Sequence, residues 1–190
     1  MSTQKNIIDD GFRADLVRSA DFYGIFEIPG IKKPEEFIIP KDTIPFSLRG
    51  KTNNYSEFVV FYEYDIRFAD VLLATDDYLD ELRNFPGIVS PDCSLYRDMP
   101  LVLQIANTYM NRAVGHYLQS QGLYVIPNIR WGDERSYTTC MLPEKFAFTG
   151  IEKHSIVSIG TYGCIQSREN RHYFHEGLKS MLDELEPSIV

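Results

Sequence analysis

The 190-residue chain has only three cysteines, Cys93, Cys140 and Cys164, and no two of them stand at CxxC spacing. An odd, scattered set argues against a disulfide framework and against a zinc site built from cysteine alone. A long apolar run is also missing. The longest uncharged stretch, 113–129 with His116 counted as neutral, contains Gly115, Gln119, Gln121, Gly122 and Pro127, and reads as a helix end followed by a strand. The amino-terminal stretch lacks the apolar centre of a secretory signal. No membrane association is therefore expected, and the cytoplasm is the expected compartment. Nor is there a basic excess: 19 Lys and Arg face 27 Asp and Glu, a net charge of -8 that argues against bulk nucleic-acid binding by phosphate neutralisation. Repeats and low-complexity tracts are absent. What remains is the composition of a globular domain with one core, 44% hydrophobic and 24% charged. With 12 Tyr and 12 Phe but a single Trp, much of its buried area is expected to be aromatic.

Two regions differ in texture. In residues 1–57, Pro29, Pro34, Pro40 and Pro45 recur every five or six positions and interrupt any long helix or central strand. This region reads as an irregular arm packed on the domain that follows, or as a partner-binding tail. From 58 to 190 a different rhythm sets in. Strands are predicted at 58–64, 87–90, 123–129 and 155–159 from their β-branched and aromatic content. Between them lie a two-piece helix over 69–84, a helix from Pro100 to about Gln121 with Gly122 as its stop, and a last helix over about 169–186. Thr75 is the expected N-cap of the second piece, and Asp98 that of the long helix. On the long helix, Leu103, Ile105, Ala106, Met110, Ala113 and Leu118 are expected in the core. Alternation of this kind implies an α/β fold: a mostly parallel sheet of βαβ units, either an open sheet or an incomplete (β/α) barrel. Ser188-Ile189-Val190 reads as a strand just beginning, which fits either a domain that continues beyond this chain or a shortened relative of a longer one.

In such folds the chemistry lies past the carboxyl ends of the strands, which gives a short set of candidates. Asp65 follows the first strand. Asp92 and Arg97 follow the second, in SPDCSLYRDMP. Asn128, Arg130, Trp131, Glu134 and Arg135 follow the third, in NIRWGDERSY. Gly160, Thr161 and Gly163 follow the fourth. Asp65, Asp92 and Glu134 are the candidate acids, bases or Mg²⁺ ligands. Arg97, Arg130 and Arg135 are candidate anion ligands beside the planar Trp131, Asn128 adds a polar group, and the Gly160–Gly163 turn offers backbone amides without side-chain bulk. Each has a plainer reading too: Asp92 as a turn residue, Arg97 in an internal ion pair, Trp131 as the pin of a rigid loop. The row Thr108, Arg112, His116 either faces the site or is the less apolar seam of the long helix. His172 and His175 have i, i+3 spacing without a third metal ligand, and no metal centre is assigned.

The segments SPDCSLYRDMP and NIRWGDERSY, with SIGTYGCIQSRENRHYFHEGLKSML and the upstream YEYDIRFADV, resemble a bacterial and phage family known as domain of unknown function 4417. The resemblance covers roughly residues 55–190 and implies carriage by prophages, plasmids and other mobile elements. It transfers no catalytic role, and whether the chain is an enzyme stays open. Three functions follow from the residues. The first is binding or processing of a small phosphorylated or nucleotide-like ligand at the carboxyl edge of the sheet. The second is a non-enzymatic inhibitor or effector that binds a host or phage protein, for which the acidic surface and the arm are suited. The third is a metal-dependent nuclease or replication accessory protein, in which clustered carboxylates hold metal. A homo-oligomer is compatible with all three.

Overall fold

Four short strands, β3 (Thr43–Pro45), β4 (Phe58–Val60), β5 (Ile88–Val89) and β6 (Val125–Ile126), form one sheet in that order, every neighbour parallel. The computed structural model describes residues 13–161 and 163–190; residues 1–12 of the arm and Tyr162 of the glycine turn lie outside them. The strands are shorter than their sequence pattern suggests. Pairing nevertheless continues past β6 through isolated parallel bridges, Asn128 with Ser158 and Ile156 with Ile189. Spatial order follows chain order, and no closed barrel forms among the described residues. Parallel strands buried on both sides read as apolar runs, as in Phe58-Val59-Val60, all buried.

The proline-rich segment is built into this layout. Phe22–Tyr23 (β1) and Ile28–Pro29 (β2) make a small antiparallel hairpin. Further on, β3 supplies the edge strand of the main sheet, a place where proline is tolerated because its missing N–H faces no ladder partner.

Helices fill the crossovers. Ala69–Leu73 (α1) and Leu79–Leu82 (α2) are joined by a 3₁₀ turn over Thr75–Tyr78. Thr75 is not an N-cap: its hydroxyl donates back to the Val71 carbonyl at 2.7 Å, closing the end of α1. Leu101–Ser120 (α3) runs between Pro100 and Gly122, whose φ of +85° suits a helix stop. Pro100, not Asp98, occupies its N-cap position. Glu134–Tyr137 (α4) is a single turn, and Arg168–Leu185 (α5) closes the fold, capped by Ser167 Oγ accepting from Asn170 N–H at 3.0 Å. No helix among the described residues is long and apolar enough to cross a membrane.

The buried face of α3 corrects a simple apolar expectation. Ala113 and Leu118 are in the core, but Leu103 is 50% exposed, Ala106 is exposed, and Ile105 and Met110 are only partly buried. Gln104, Thr108, Asn111, Arg112 and His116 point inward instead. The cause is backbone accounting. Strands of two or three residues leave carbonyls beside them without ladder partners, and buried carbonyls need donors. This helix supplies them. Gly115 lets it approach the sheet closely: a Cβ there would stand 2.3 Å from Ile31 Cδ1 and 3.0 Å from Ser90 Cβ.

His116 fastens the hairpin region to α3. Its Nδ1 lies 3.1 Å from the Gly30 carbonyl and its Nε2 3.0 Å from Ser19 Oγ. A carbonyl only accepts, so Nδ1 carries the proton and Nε2 accepts from the Ser19 hydroxyl. Burial holds this imidazole below its ordinary 6.5; the Gly30 bond and Asp21 oppose the shift, and Lys32 adds to it. The unfolded chain thus binds the proton more readily than the fold does, and stability is lost as pH falls below 6.5. Thermal melts taken from neutral pH downward are expected to show that slope, and His116→Gln, which cannot charge, should flatten it. An unchanged slope would show that another group titrates.

Candidate functional site

At the carboxyl edge of the sheet opens a cleft of about 370 Å³, within the range of small-molecule sites. Loops after three strands and the first half of α5 enclose it: Glu63 and Tyr64 after β4, Asp92 and Ser94–Arg97 after β5, Ile129–Gly132 after β6, then Gly160, Gly163, Cys164 and Gln166, and Asn170, Tyr173 and Phe174 from α5. Its walls are aromatic. Trp131, the only Trp of the chain, is buried against Phe174 at 5.5 Å between ring centroids and edge-on to Phe148 at 6.4 Å. Gly177 makes room for it, since a Cβ there would come within 2.2 Å of the indole.

The floor is polar. Arg130 Nη1 donates to Asp92 Oδ2 at 3.1 Å, with side-chain exposures of 12% and 7%. Asn128 Nδ2 donates to the other oxygen, Asp92 Oδ1, at 2.8 Å. Burial raises the Asp92 carboxyl above its ordinary 3.8; Arg130 and Asn128 pull it back and Asp65 adds to the rise. Tyr62 lies behind this pair, its hydroxyl bonded to Ser158 Oγ and 3.3 Å from Asn128 Oδ1, and burial pushes its pKa well up. Gly160 is there because of Tyr62: a Cβ would stand 2.6 Å from that ring and 3.5 Å from Asp92 Oδ2.

Beneath the floor runs a buried network rooted in α3. Ser90 Oγ donates to Asn111 Oδ1 at 3.1 Å and accepts from Asn128 N–H at 2.8 Å. Asn111 Nδ2 donates to the carbonyls of Pro91 and Asn128. Arg112, 1% exposed, has no carboxylate partner among the described residues. It donates instead to Thr149 O at 3.2 Å, Ala147 O at 2.9 Å, Asn128 O at 2.9 Å and Asn111 Oδ1. Burial draws its pKa down to about 9, so the guanidinium is still charged at neutral pH, solvated by carbonyl-type oxygens. Neighbouring Cys93 is buried, and burial raises its thiol well above 9.0, leaving it inert.

Of the residues singled out from sequence, Asp92, Arg97, Arg130, Trp131, Gly160 and Gly163 line the cleft. Asn128 is wholly buried and holds Asp92 from behind. Asp65 does not reach the cleft; it accepts from Ser94 N–H at 3.0 Å and Ser94 Oγ at 2.6 Å, and so braces the loop that carries Asp92. Thr161 is exposed, its carbonyl accepting from Cys164 N–H at 3.1 Å. Glu134 is exposed on α4, outside the cleft, because Asp133 caps that turn and rotates its neighbour outward. Arg135 folds back on Asp133 at 2.7 Å and donates to the Arg97 carbonyl at 2.8 Å, tying two loops together. Of the six charged candidates, Asp65, Asp92, Arg97, Arg130, Glu134 and Arg135, three therefore line the cleft: Asp92, Arg97 and Arg130.

Arg97 sits at the mouth, paired with Glu169 and 5.6 Å over the Tyr173 ring. Cys164 reaches the wall, its thiol raised by burial, with Arg130 opposing and Asp92 adding. Glu63, Gln166, Asn170, Tyr173 and Phe174 were not legible as site residues. No group of three His, Cys, Asp or Glu among the described residues is placed to hold a metal ion, so the clustered carboxylates that a metal nuclease needs are not found there.

Comparison with known proteins adds lineage. A family model described as "Domain of unknown function (DUF4417)" matches residues 20–190, reaching further toward the amino terminus than the resemblance seen in the motifs. The Gene 1 protein of Mycobacterium phage L5 is 30% identical over 130 residues, 68% of this chain and 54% of the phage protein. The Gene 1 protein of Mycobacterium phage D29 is 31% identical over 130 residues, 68% of this chain and 46% of that one. The chain spans about half the length of these curated relatives. No solved structure matches it.

Proposed function

This chain belongs to the DUF4417 family, and from that premise we propose that it is a phage-related protein binding a small phosphorylated or nucleotide-like ligand in the cleft at the carboxyl edge of its sheet. One observation carries the reading: a buried Asp92–Arg130 pair forms the floor of an aromatic-walled cleft sized for a small molecule. In the wider proposal the protein works in the cytoplasm of the cell that carries it. Asp92 and Arg130 fix the ligand's polar end, the tyrosines near the mouth take a planar ring, and Arg97 meets charge at the rim. A flat apolar face would favour the protein-binding alternative; the polar residues here gather in a concavity instead.

The test is thermal melting of the protein with each of the common nucleoside 5′-monophosphates. A ligand that binds only the fold stabilises it by about 2.7 kcal/mol at a hundredfold excess over Kd, which corresponds to a rise of several degrees at this chain length. A melt unmoved by every nucleotide at millimolar concentration would rule the reading out.

A further inference from the structure

Around Arg130 the floor of the cleft has donors to spare, and this sets a direction; Glu63, on another part of the lining, brings a buried carboxylate oxygen, Oε2, that has no hydrogen-bond partner among the described residues. Arg130 has five N–H groups. One nitrogen, Nη1, is spent on Asp92, while Nε is buried and has no hydrogen-bond partner among the described residues. A buried donor left unpaired is costly, and native structures rarely keep one without reason. On a guanidinium the Nε and Nη2 hydrogens form a fork that matches two oxygens of one phosphate or carboxylate. Among the described residues no oxygen accepts a hydrogen bond from that fork. Both oxygens of Asp92 are already engaged, Oδ1 by Asn128 and Oδ2 by Nη1.

The same engagement disfavours a nucleobase at the bottom of the cleft. A base edge presents donors as well as acceptors, and here its N–H groups would meet an Asp92 that is only 7% exposed and already accepts one bond on each oxygen, with one spare lone pair apiece. Aromatic faces are available further out. Tyr96 is 53% exposed and lines the cleft, as does Tyr173 with Arg97 over its ring. Gly163, itself exposed, lines the wall with backbone alone; a Cβ placed there would have nothing within 4 Å.

We propose that the cleft takes its ligand phosphate-first: a phosphate monoester seats on the free edge of Arg130, and the planar part of the molecule lies outward against Tyr96 and Tyr173. This rests on the reading that the cleft binds a nucleotide-like ligand, and it names which end of that ligand goes in. Arg97 then meets the outer part of the ligand, not its phosphate.

Titrations monitored by the fluorescence of Trp131, with uridine, uridine 5′-monophosphate and inorganic phosphate as probes, separate the possibilities. Uridine 5′-monophosphate is expected to bind at least tenfold more tightly than uridine, and inorganic phosphate to compete with it. Arg130→Lys keeps a cation beside Asp92 but removes the fork, and is expected to abolish that tenfold preference. Arg97→Ala is expected to weaken nucleoside and nucleotide alike without closing the gap between them, and it tests the orientation even if Arg130→Lys fails to fold. Equal binding of uridine and its monophosphate, a preference that survives Arg130→Lys, or one that Arg97→Ala erases would each overturn the orientation while leaving the cleft as a ligand site. Absence of binding by all three probes, together with unmoved melts for every nucleotide, would overturn both.

Discussion

Replacing Arg112 by alanine is expected to cost on the order of 3–5 kcal/mol, a large share of the stability a domain of this size has to lose. Arg112 is fully buried and reaches four acceptors, the carbonyls of Asn128, Ala147 and Thr149 and the side chain of Asn111. Asn128 O keeps its bond from Asn111 Nδ2, but the carbonyls at 147 and 149 lose these donors. Each buried polar group left without a partner costs about 1–3 kcal/mol, and the vacated volume adds a cavity cost. Arg112→Lys should fall between: it keeps the charge, but one ammonium does not span four acceptors laid out for a planar fork. Denaturant unfolding of the three proteins measures this. An alanine variant as stable as the parent would mean that these carbonyls find water, and that α3 is not the anchor of the floor.

The second large effect is at the floor itself. Asp92→Ala and Arg130→Ala each strand a charge that is nine-tenths buried or nearly so, and each is expected to lose about 3–5 kcal/mol. The double variant should lose less than the sum of the two, with a coupling of roughly 0.5–3 kcal/mol. Asp92→Ala also leaves Asn128 Nδ2 without its acceptor, so it should be the worse of the two. Additive losses would show that the two side chains do not feel each other. Because the pair is structural and also lines the cleft, melting alone does not separate a structural role from the proposed ligand-binding one; the lysine substitution at 130, which preserves the charge, does.

Much of the fold was readable because its punctuation is strong. Pro100 and Gly122 bracket α3 to within a residue, and strands alternating with helices give a parallel sheet in chain order. The strand lengths were not readable, since an apolar run such as 58–64 does not say where ladder pairing stops: it stops at Val60. The polar interior of α3 was hidden for a related reason. Templates for helix burial look for apolar residues at i, i+3 and i+4, whereas Gln104, Thr108, Arg112 and His116 keep the spacing and reverse the chemistry.

Of the candidate site residues, Asp92 and Arg130 reach the cleft because each lies within a few positions of a strand end, and Gly160 because it follows the parallel bridge at Ser158. Glu134 and Arg135 follow the same strand, but Asp133 starts a helical turn that carries them away. The wall formed by Asn170, Tyr173 and Phe174 depends on where α5 docks, which is a long-range outcome; the sequence hint was Gly177, a helix-interior glycine that admits Trp131.

A crystal structure of the protein grown with uridine 5′-monophosphate would show whether the cleft seats a nucleotide, and by which end. Phosphate oxygens are expected within about 2.7–3.2 Å of Arg130 Nε, at the floor of the cleft, with the base outward near Tyr96 and Tyr173. A cleft that stays empty at saturating nucleotide, with the ligand absent or bound elsewhere on the surface, would contradict that expectation.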